Sequence, residues 1–590
     1  MNFSTVAYYF DAINNTSSRT EITQLLATLF KAANAQEIEI ICNASLGLLR
    51  PPYRGTQFNV AEKSMIGIVA QLLGISPEEV KTRANDLGDL GSVVAQGYAA
   101  QTASELSVVD VYAALSEIED ISGSGSTELK AHKIVSLLQQ LSPASGQYVV
   151  RIILGTLRLG FSDMTIVDAL SWMLVESKAL RARIEHAYNL CADIGFIARE
   201  LKSGGIEALD KLSIKIGIPI RPAAAERLPN AQAIIDKIGD CVAQPKLDGF
   251  RLQIHMDATH SEQPEIHFFS RNLLDMSAMF PDLVEALKKL PVKQLICEGE
   301  AIVFDPNTGH FLPFQETVKR KRKHGIDQAI SEFPLQFYVF DLLYADGKEY
   351  LSVGHEERRK ALLALFAQSK TATIQVIAER HVHTAAELEE YFFENINAGL
   401  EGLVVKKPNS IYEPGKRNFN WIKLKRHEEG HLEDTIDCVI LGYYAGAGKR
   451  SQFGIGAFLV GIFNPHEDCF QTIAKIGTGL KDAEWIDLKK QCDAHAVHEK
   501  PRNVVCAPAL YPDVWTAPEI VCSILADEIT RSPLHTAGKT TEQLGYALRF
   551  PRILGYREDK SAHEVTTVHE IKRLYEDQFV PSIHSSAPKA

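Results

Sequence analysis

The stretch Gln244-Pro-Lys-Leu-Asp-Gly-Phe-Arg251 constrains this chain more than any other. Asp248-Gly249 lies between residues of alternating polarity. That predicts a two-residue hairpin, because Asp and Gly tolerate the positive φ of such a turn. With these two as the loop, Leu247 would pair with Phe250 and Lys246 with Arg251. Directly paired residues of an antiparallel ladder point to the same face. Two cations would then stand side by side, which is unfavourable without an anion between them. Phe250, Leu252, Ile254 and Met256 would bury the other face of the second strand.

A lysine amine has a pKa of about 10.4 and is a poor nucleophile at neutral pH. A neighbouring cation or a bound metal lowers that pKa and frees the lone pair. The same cation can receive the charge of a phosphate. Taken alone, the stretch fits a surface hairpin with solvated charges equally well, since Asp-Gly hairpins are common.

Further motifs follow in order: Ser270-Arg271-Asn272, Glu298-Gly-Glu300, Phe337-Tyr-Val-Phe-Asp341, Glu401-Gly-Leu-Val-Val-Lys-Lys407 and Trp421-Ile-Lys-Leu-Lys425. With Lys246-Leu-Asp-Gly-Phe-Arg251 at their head, they resemble the KxDGxR series of covalent nucleotidyltransferases, which includes DNA ligases, RNA ligases and capping enzymes. The chain is similar over nearly its whole length to ATP-dependent DNA ligases of the archaeal and eukaryotic replicative type. The resemblance implies three parts. An all-α DNA-binding domain spans 1–209. An α+β adenylation domain, of nucleotidyltransferase and ATP-grasp-like type, spans 210–427. An all-β OB-fold domain spans 428–578, and 579–590 are expected to be a disordered tail.

Composition fits several globular domains. Of 590 residues, 45% are hydrophobic and 23% charged, and no apolar run has the length of a membrane span. The first residues lack a basic start and reach Asp11 early, unlike a secretory signal. Nine scattered cysteines include no CxxC pair, so neither a disulfide framework nor a zinc site is expected. An intracellular location, cytoplasm or nucleoid, follows as the expectation. A net charge of −12 runs against nucleic-acid binding, which draws on Lys and Arg at phosphates. Local clusters can suffice: Lys319-Arg-Lys-Arg-Lys323 is the densest, although such a run alone reads as a solvated loop. Lys423, Lys425 and Arg426 form another.

Periodicity divides the chain. Residues up to about 205 read as helical, with Ile22, Leu25, Leu26 and Leu29 at helical spacing behind a Ser17-Ser18 cap. Segments 64–73, 108–118, 131–141 and 164–174 repeat the pattern, and Ser122-Gly-Ser-Gly-Ser126 reads as a connector. Arg151, Arg158 and Gly160 resemble part of the DNA-binding domain of the ligase type. Proline-rich 219–229 ends the helical pattern, and strands mixed with helices follow. On strands, Glu298 and Glu300 share a face, and Trp421, Lys423 and Lys425 oppose Ile422 and Leu424. The two lysines form a second cationic wall with Arg417. Glu401 and Lys406, five apart, can both line a pocket only if Glu401 starts the strand or a bulge intervenes. Residues 427–433 fit a hinge. Strands are expected at 437–442, 457–463 and 472–476, and glycine-rich 442–456 as a mobile loop.

The resemblance assigns roles. Lys246 attacks the α-phosphate of ATP, carries AMP, and passes it to the 5′-phosphate of nicked double-stranded DNA. The 3′-hydroxyl then displaces it. Covalent transfer through an amine splits one hard step into easier ones. Arg251, Arg271, Arg417, Lys423 and Lys425 are pre-placed cations, with Lys406 supporting. Glu401 is the first choice as ligand of Mg²⁺, or Mn²⁺ in its place, and Glu300 binds the ribose or joins the metal. Phe340 offers a flat face to adenine. Gln244 stands where relatives often have Glu near the adenine amine; its amide oxygen can accept, and its NH₂ must meet an acceptor. Arg557, Asp559 and Lys560, with Arg549-Phe-Pro-Arg552 nearby, match the last motif and are implied to close over pyrophosphate. A monomer is expected, and a sliding clamp is a partner the family allows. Three rivals stand against this reading: an RNA ligase or capping enzyme, a non-catalytic scaffold, and an NAD-dependent ligase, whose zinc-finger cysteines are absent.

Overall fold

Side-chain caps start several helices of the N-terminal region. Ser18 accepts from the Glu21 N–H, and helix Arg19–Ala32 buries Ile22, Leu26 and Leu29 on one face. Asn34 and Glu37 form a reciprocal capping box for Ala35–Ser45, as Ser107 and Asp110 do for Val108–Asp120. Glu62–Leu73, Ser126–Gln139 and Asp163–Val175 realise the other expected helices. Ser126, expected in the connector, already begins a helix, because Gly125 takes the left-handed conformation just before it. Arg151 lies over the Tyr148 ring in the last turn of Pro143–Ile153. The computed structural model describes all residues except 99–104, 158, 261–262, 306–310, 313–316, 318–319, 321–329, 331, 368–372, 426–434, 447 and 578–590. Arg158, the expected hinge and the C-terminal tail therefore lie outside the described residues. None of the described helices is long and apolar enough to cross a membrane.

The chain divides into two compact units. Met1–Gly74 and Val94–Arg426 form the first, and Ile75–Val93 joins the residues from His427 onward in the second. After the helices, the first unit continues as strands β1 (Ala224–Arg227), β2 (Cys241–Lys246), β3 (Phe250–Asp257), β4 (Glu265–Ser270), β5 (Gln294–Val303), β6 (Leu335–Ala345), β7 (Lys348–Glu349), β8 (Ile374–Val376), β9 (Arg380–Val382), β10 (Gly402–Lys406) and β11 (Arg417–Lys425). They make two sheets. One has the order β1-β11-β10-β2-β9; the other runs β4-β3-β5-β6-β7, with β8 beside β6.

The expected hairpin does not form. β2 pairs with β10 and β9, whereas β3 pairs with β4 and β5, so Lys246 and Arg251 sit in different sheets. The reason is burial. Cys241 and Ala243 belong to a core with Leu403, Val405, Ile422 and Leu424. Leu252, Ile254 and Met256 belong to a separate core with Phe268, Leu283 and Phe337. Two cores pull the adjacent strands apart, and that outweighs the local turn preference of Asp-Gly. Gly249 accordingly needs no positive φ. It is required by close approach: a Cβ there would come within 2.5 Å of the Ala301 carbonyl oxygen and 2.9 Å of Glu300 Cγ.

The second unit is described by itself. Strand Ile436–Tyr444 pairs antiparallel with Ala457–Asn464, Val514–Thr516 and Val521–Leu525, and Ala457–Asn464 pairs with Cys469–Ile476. Helix Asp482–Ala494 covers the sheet through Trp485, Leu488 and Cys492. The glycine-rich segment expected as a mobile loop is in part regular. Gly442 lies within the strand, and Gly448–Phe453 forms a 3₁₀ helix. Gly442 fits there because the Val514 carbonyl oxygen lies 2.5 Å from where a Cβ would stand.

Candidate active site

Residues of both sheets of the first unit meet at the site: Lys246 from β2 and Arg251 from β3 both act electrostatically on Glu300 of β5. Alternation along β2 turns Cys241 and Ala243 into the core and Gln244 and Lys246 to the opposite face. On β11, Ile422 and Leu424 enter that same core, while Trp421, Lys423 and Lys425 take the other side. From the second sheet, Arg251 stands opposite Glu300, and Gln253 opposite Glu298.

Lys246 Nζ donates to the Glu401 carboxylate, and Lys425 Nζ pairs with its other oxygen. Glu401 immediately precedes β10, and its N–H donates to the Lys246 carbonyl at 3.1 Å. The strand-start alternative is therefore the one realised. Gly402 enforces it: its φ is +140°, and a Cβ would meet the Leu424 carbonyl oxygen at 2.2 Å. Burial would raise the Glu401 pKa, but the charges and hydrogen bonds of Lys246 and Lys425 hold it below the ordinary value.

Lys423 shows how the cations converge. Burial first, then the charges of Lys425, Arg417, Lys246 and Arg271, push its pKa down. Five cations from three segments of chain thus repel one another around one space, an arrangement that favours an anionic ligand. Arg271 also lines a small cavity with Pro219, Arg251, Phe269 and Glu298.

Arg251 is held rather than free. Its guanidinium donates to Glu298 at 2.8 Å and to the Ala223 carbonyl at 2.8 Å, and only its Nε has no partner. Glu298, 1% exposed, also accepts from Tyr412 at 2.8 Å and Gln253 at 3.3 Å. That carboxylate is part of the scaffold that fixes Arg251. Phe340 meets Trp421 edge to face at 6.0 Å, with Arg251 at 5.4 Å and Lys406 at 5.2 Å from its ring.

Lys406 sits behind this wall, 1% exposed. Its Nζ donates to the Phe340 carbonyl at 3.1 Å and lies 3.6 Å from Asp341. Burial lowers its pKa to about 8 against the pull of Asp341 and Glu379. Arg358 pairs with the same Asp341 through two bonds of 2.7 and 3.1 Å. Gln244 donates its NH₂ to Glu379 at 2.7 Å. Sequence reasoning missed Glu379, Tyr412 and Arg358, because nothing local to them marks a site. Of the dense basic run only Arg320 is described; it is 1% exposed and pairs with Asp282 at 2.8 and 3.0 Å, so that residue is not solvated.

Among the described residues no group of three or more His, Cys, Asp or Glu is placed to hold a metal. Glu401 can supply one carboxylate, which suffices for Mg²⁺ when substrate phosphates and water complete its shell. Glu300 carries the second carboxyl of this space. Burial raises its pKa to about 7, with Asp248 and Glu401 adding to the shift and Lys246 and Arg251 opposing it. The unfolded group titrates near ~4.3. Glu300 therefore favours the fold most below that pH, and the contribution is lost as pH rises through the folded value. Since the side chain keeps some contact with solvent, the swing is about 1–2 kcal/mol. Glu300→Gln should unfold at a higher temperature than wild type at pH 8, with the gap closing by pH 4.5. Equal gaps at both pH values in a thermal melt would contradict this assignment.

In the second unit, Asp437 is nearly buried and accepts from Arg557 at 3.1 Å and Lys560 at 2.6 Å. Ser523 also donates to this carboxylate, and the Asp437 N–H donates to the Thr566 hydroxyl at 3.0 Å. Arg557 also pairs with Asp559 at 2.8 Å. The cluster brings the three expected residues together around an aspartate that no motif marked.

A lysine amine, a carboxylate and converging cations thus lie together in the first unit. Three family models cover most of the chain: DNA ligase N terminus over 2–171, ATP dependent DNA ligase domain over 222–425, and ATP dependent DNA ligase C terminal region over 451–560. A protein called "Probable DNA ligase" in Dictyoglomus thermophilum is 43% identical, with 98% of each chain aligned. The DNA ligase of Sulfolobus acidocaldarius is 36% identical, again over 98% of each. The solved structure named Pmar-Lig_PreS3 shares the fold, with a TM-score of 0.55 at 16% identity over 94% of this chain and 99% of its own. The chain belongs to the ATP-dependent DNA ligase family, enzymes that form the phosphodiester bond at a nick.

Proposed function

We propose that Lys246 is the residue that carries AMP during nick sealing. Its Nζ attacks the α-phosphate of ATP; a P–N bond forms, the P–O bond to pyrophosphate breaks, and the amine proton leaves. The 5′-phosphate oxygen of the nick then attacks the same phosphorus and releases the amine. Finally the 3′-hydroxyl attacks the activated 5′-phosphate, and AMP departs. A phosphate monoester has no good leaving group until AMP is attached, and the amine is a carrier that forms and breaks its bond at moderate cost.

The observation that carries this reading is the convergence of Arg271, Arg417, Lys423 and Lys425 on the space beside Lys246. Each step builds negative charge on phosphoryl oxygens, and fixed cations stabilise it without reorganisation. Arriving phosphates compete with Glu401 for Lys425 and free the Lys246 amine. Glu401, with Glu300 beside it, is the metal-binding pair of this reading, and Mg²⁺ held there would neutralise phosphate charge. Phe340 gives adenine an apolar face, and Arg251 is kept in place by Glu298. The helical segment 1–209 grips the duplex, 210–427 carries adenylation, and 428–578 is an OB-fold.

Incubation with α-labelled ATP and magnesium should leave an acid-labile label on the protein, and nicked DNA should be sealed in preference to nicked RNA. A protein that takes no label would sink the reading. Arg557 and Lys560 act on pyrophosphate in the first step. Lys560→Ala should therefore slow self-adenylation by roughly 10²-fold, as loss of one charge-stabilising donor does. Sealing of pre-adenylated DNA should fall far less; equal losses would assign Lys560 elsewhere.

A further inference from the structure

Gln244 departs from the acid expected at its position, and the structure pairs it with a buried carboxylate, Glu379. Its side chain is 2% exposed, on the same face of β2 as Lys246. Its amide nitrogen lies 2.7 Å from Glu379 Oε2. That same oxygen accepts from His355 Nε2 at 2.8 Å, and Arg359 stands 3.9 Å from the other oxygen. Burial would raise the Glu379 pKa, but the His355 and Arg359 interactions hold it down at about 2, so the group is a carboxylate at neutral pH.

A carboxylate only accepts hydrogen bonds, so it dictates which end of the amide faces it. The NH₂ must turn to Glu379, and the carbonyl oxygen is the end left for a ligand. An acceptor at that place suits the 6-amino group of adenine. It repels the 6-oxo group of guanine, because two acceptors would then face each other in a buried site. We propose that Glu379 is a positioning residue that sets nucleobase choice by locking the Gln244 amide in its accepting orientation. The pair Gln244–Glu379 thereby does the work of a single carboxylate, with the charge moved one side chain further from the base. This rests on the reading of Lys246 as the site of adenylyl transfer.

Glu379→Gln removes the lock while keeping the shape. An amide at 379 can donate as well as accept, so the Gln244 amide is free to invert and offer N–H to guanine. Lys246 labelling with α-labelled ATP and α-labelled GTP, each over a range of concentrations, reads the effect. The ATP-to-GTP ratio of labelling efficiency should fall about tenfold or more, chiefly through a rise for GTP. The exchanged pair Gln244→Glu with Glu379→Gln should restore the wild-type ratio, since a carboxylate at 244 again presents only an acceptor. A purely structural carboxylate predicts lower labelling with both nucleotides at an unchanged ratio, and that result overturns the proposal. If Glu379→Gln does not fold, Glu379→Ala decides in its place: a lower ATP-to-GTP ratio supports the lock, an unchanged ratio overturns it. Wild-type protein that takes no label from ATP would remove the underlying reading and this inference together, whereas an unchanged ratio in labelled Glu379→Gln removes only the inference.

Discussion

Lys246→Ala should abolish transfer of AMP from ATP to the protein and, with it, sealing of unmodified nicks, by roughly 10⁴- to 10⁶-fold, the scale of losing a covalent nucleophile. The fold should tolerate the change. Lys246 is only partly buried, and Glu401 keeps its second partner, Lys425. The variant should still act on a nick that already carries AMP, because that last step needs no enzyme-bound amine. Lys246→Arg should be as inactive as alanine in the first step: it keeps the charge but stays protonated. Sealing of ordinary nicks by purified Lys246→Ala at more than a hundredth of the wild-type rate would refute the assignment.

Asp341→Asn should cost about 3–5 kcal/mol of stability, the usual penalty for stranding buried charge. Asp341 is 2% exposed overall, and its carboxylate faces Arg358 and Lys406, whose side chains are 0% and 1% exposed. Burial opposes its ionisation, yet the Arg358 and Lys406 charges hold its pKa well below the usual carboxylate range. With the folded value depressed, the stabilisation is complete above about pH 4 and fades on acidification below that. Urea unfolding at pH 7 measures the loss, and repeating it near pH 3 should shrink the difference between variant and wild type. A loss under about 1 kcal/mol at pH 7 would mean that water reaches the pair. Asp341 closes the Phe337–Asp341 motif, so its strength in sequence reflects this buried pair as well as the neighbouring Phe340.

Much of the site was legible because its residues lie on strands, where alternation assigns faces. Lys423 and Lys425 against Ile422 and Leu424 is the clearest case, and the structure keeps that division. The helical N-terminal region was legible through caps and apolar spacing. The hairpin was misread for a physical reason: Asp-Gly favours a turn locally, but the residues on either side belong to different cores. Within the basic run, the burial of Arg320 was not legible because its partner Asp282 lies far away along the chain. The other four residues of that run lie outside the described residues.

By itself the sequence determined the order of motifs, the strand faces that carry their charged residues, and the succession from helices to strands. These depend on residue type and on neighbours within a few positions, which a linear string records. Only the tertiary structure decided that Lys246 and Arg251 stand in different sheets, that Glu401 bridges two lysines from the start of its strand, and that Glu379 and Asp437 pair with groups more than a hundred residues away. Long-range pairing of charge and separate burial of adjacent strands arise when distant segments compete for the same apolar cores, and no local pattern encodes the outcome of that competition.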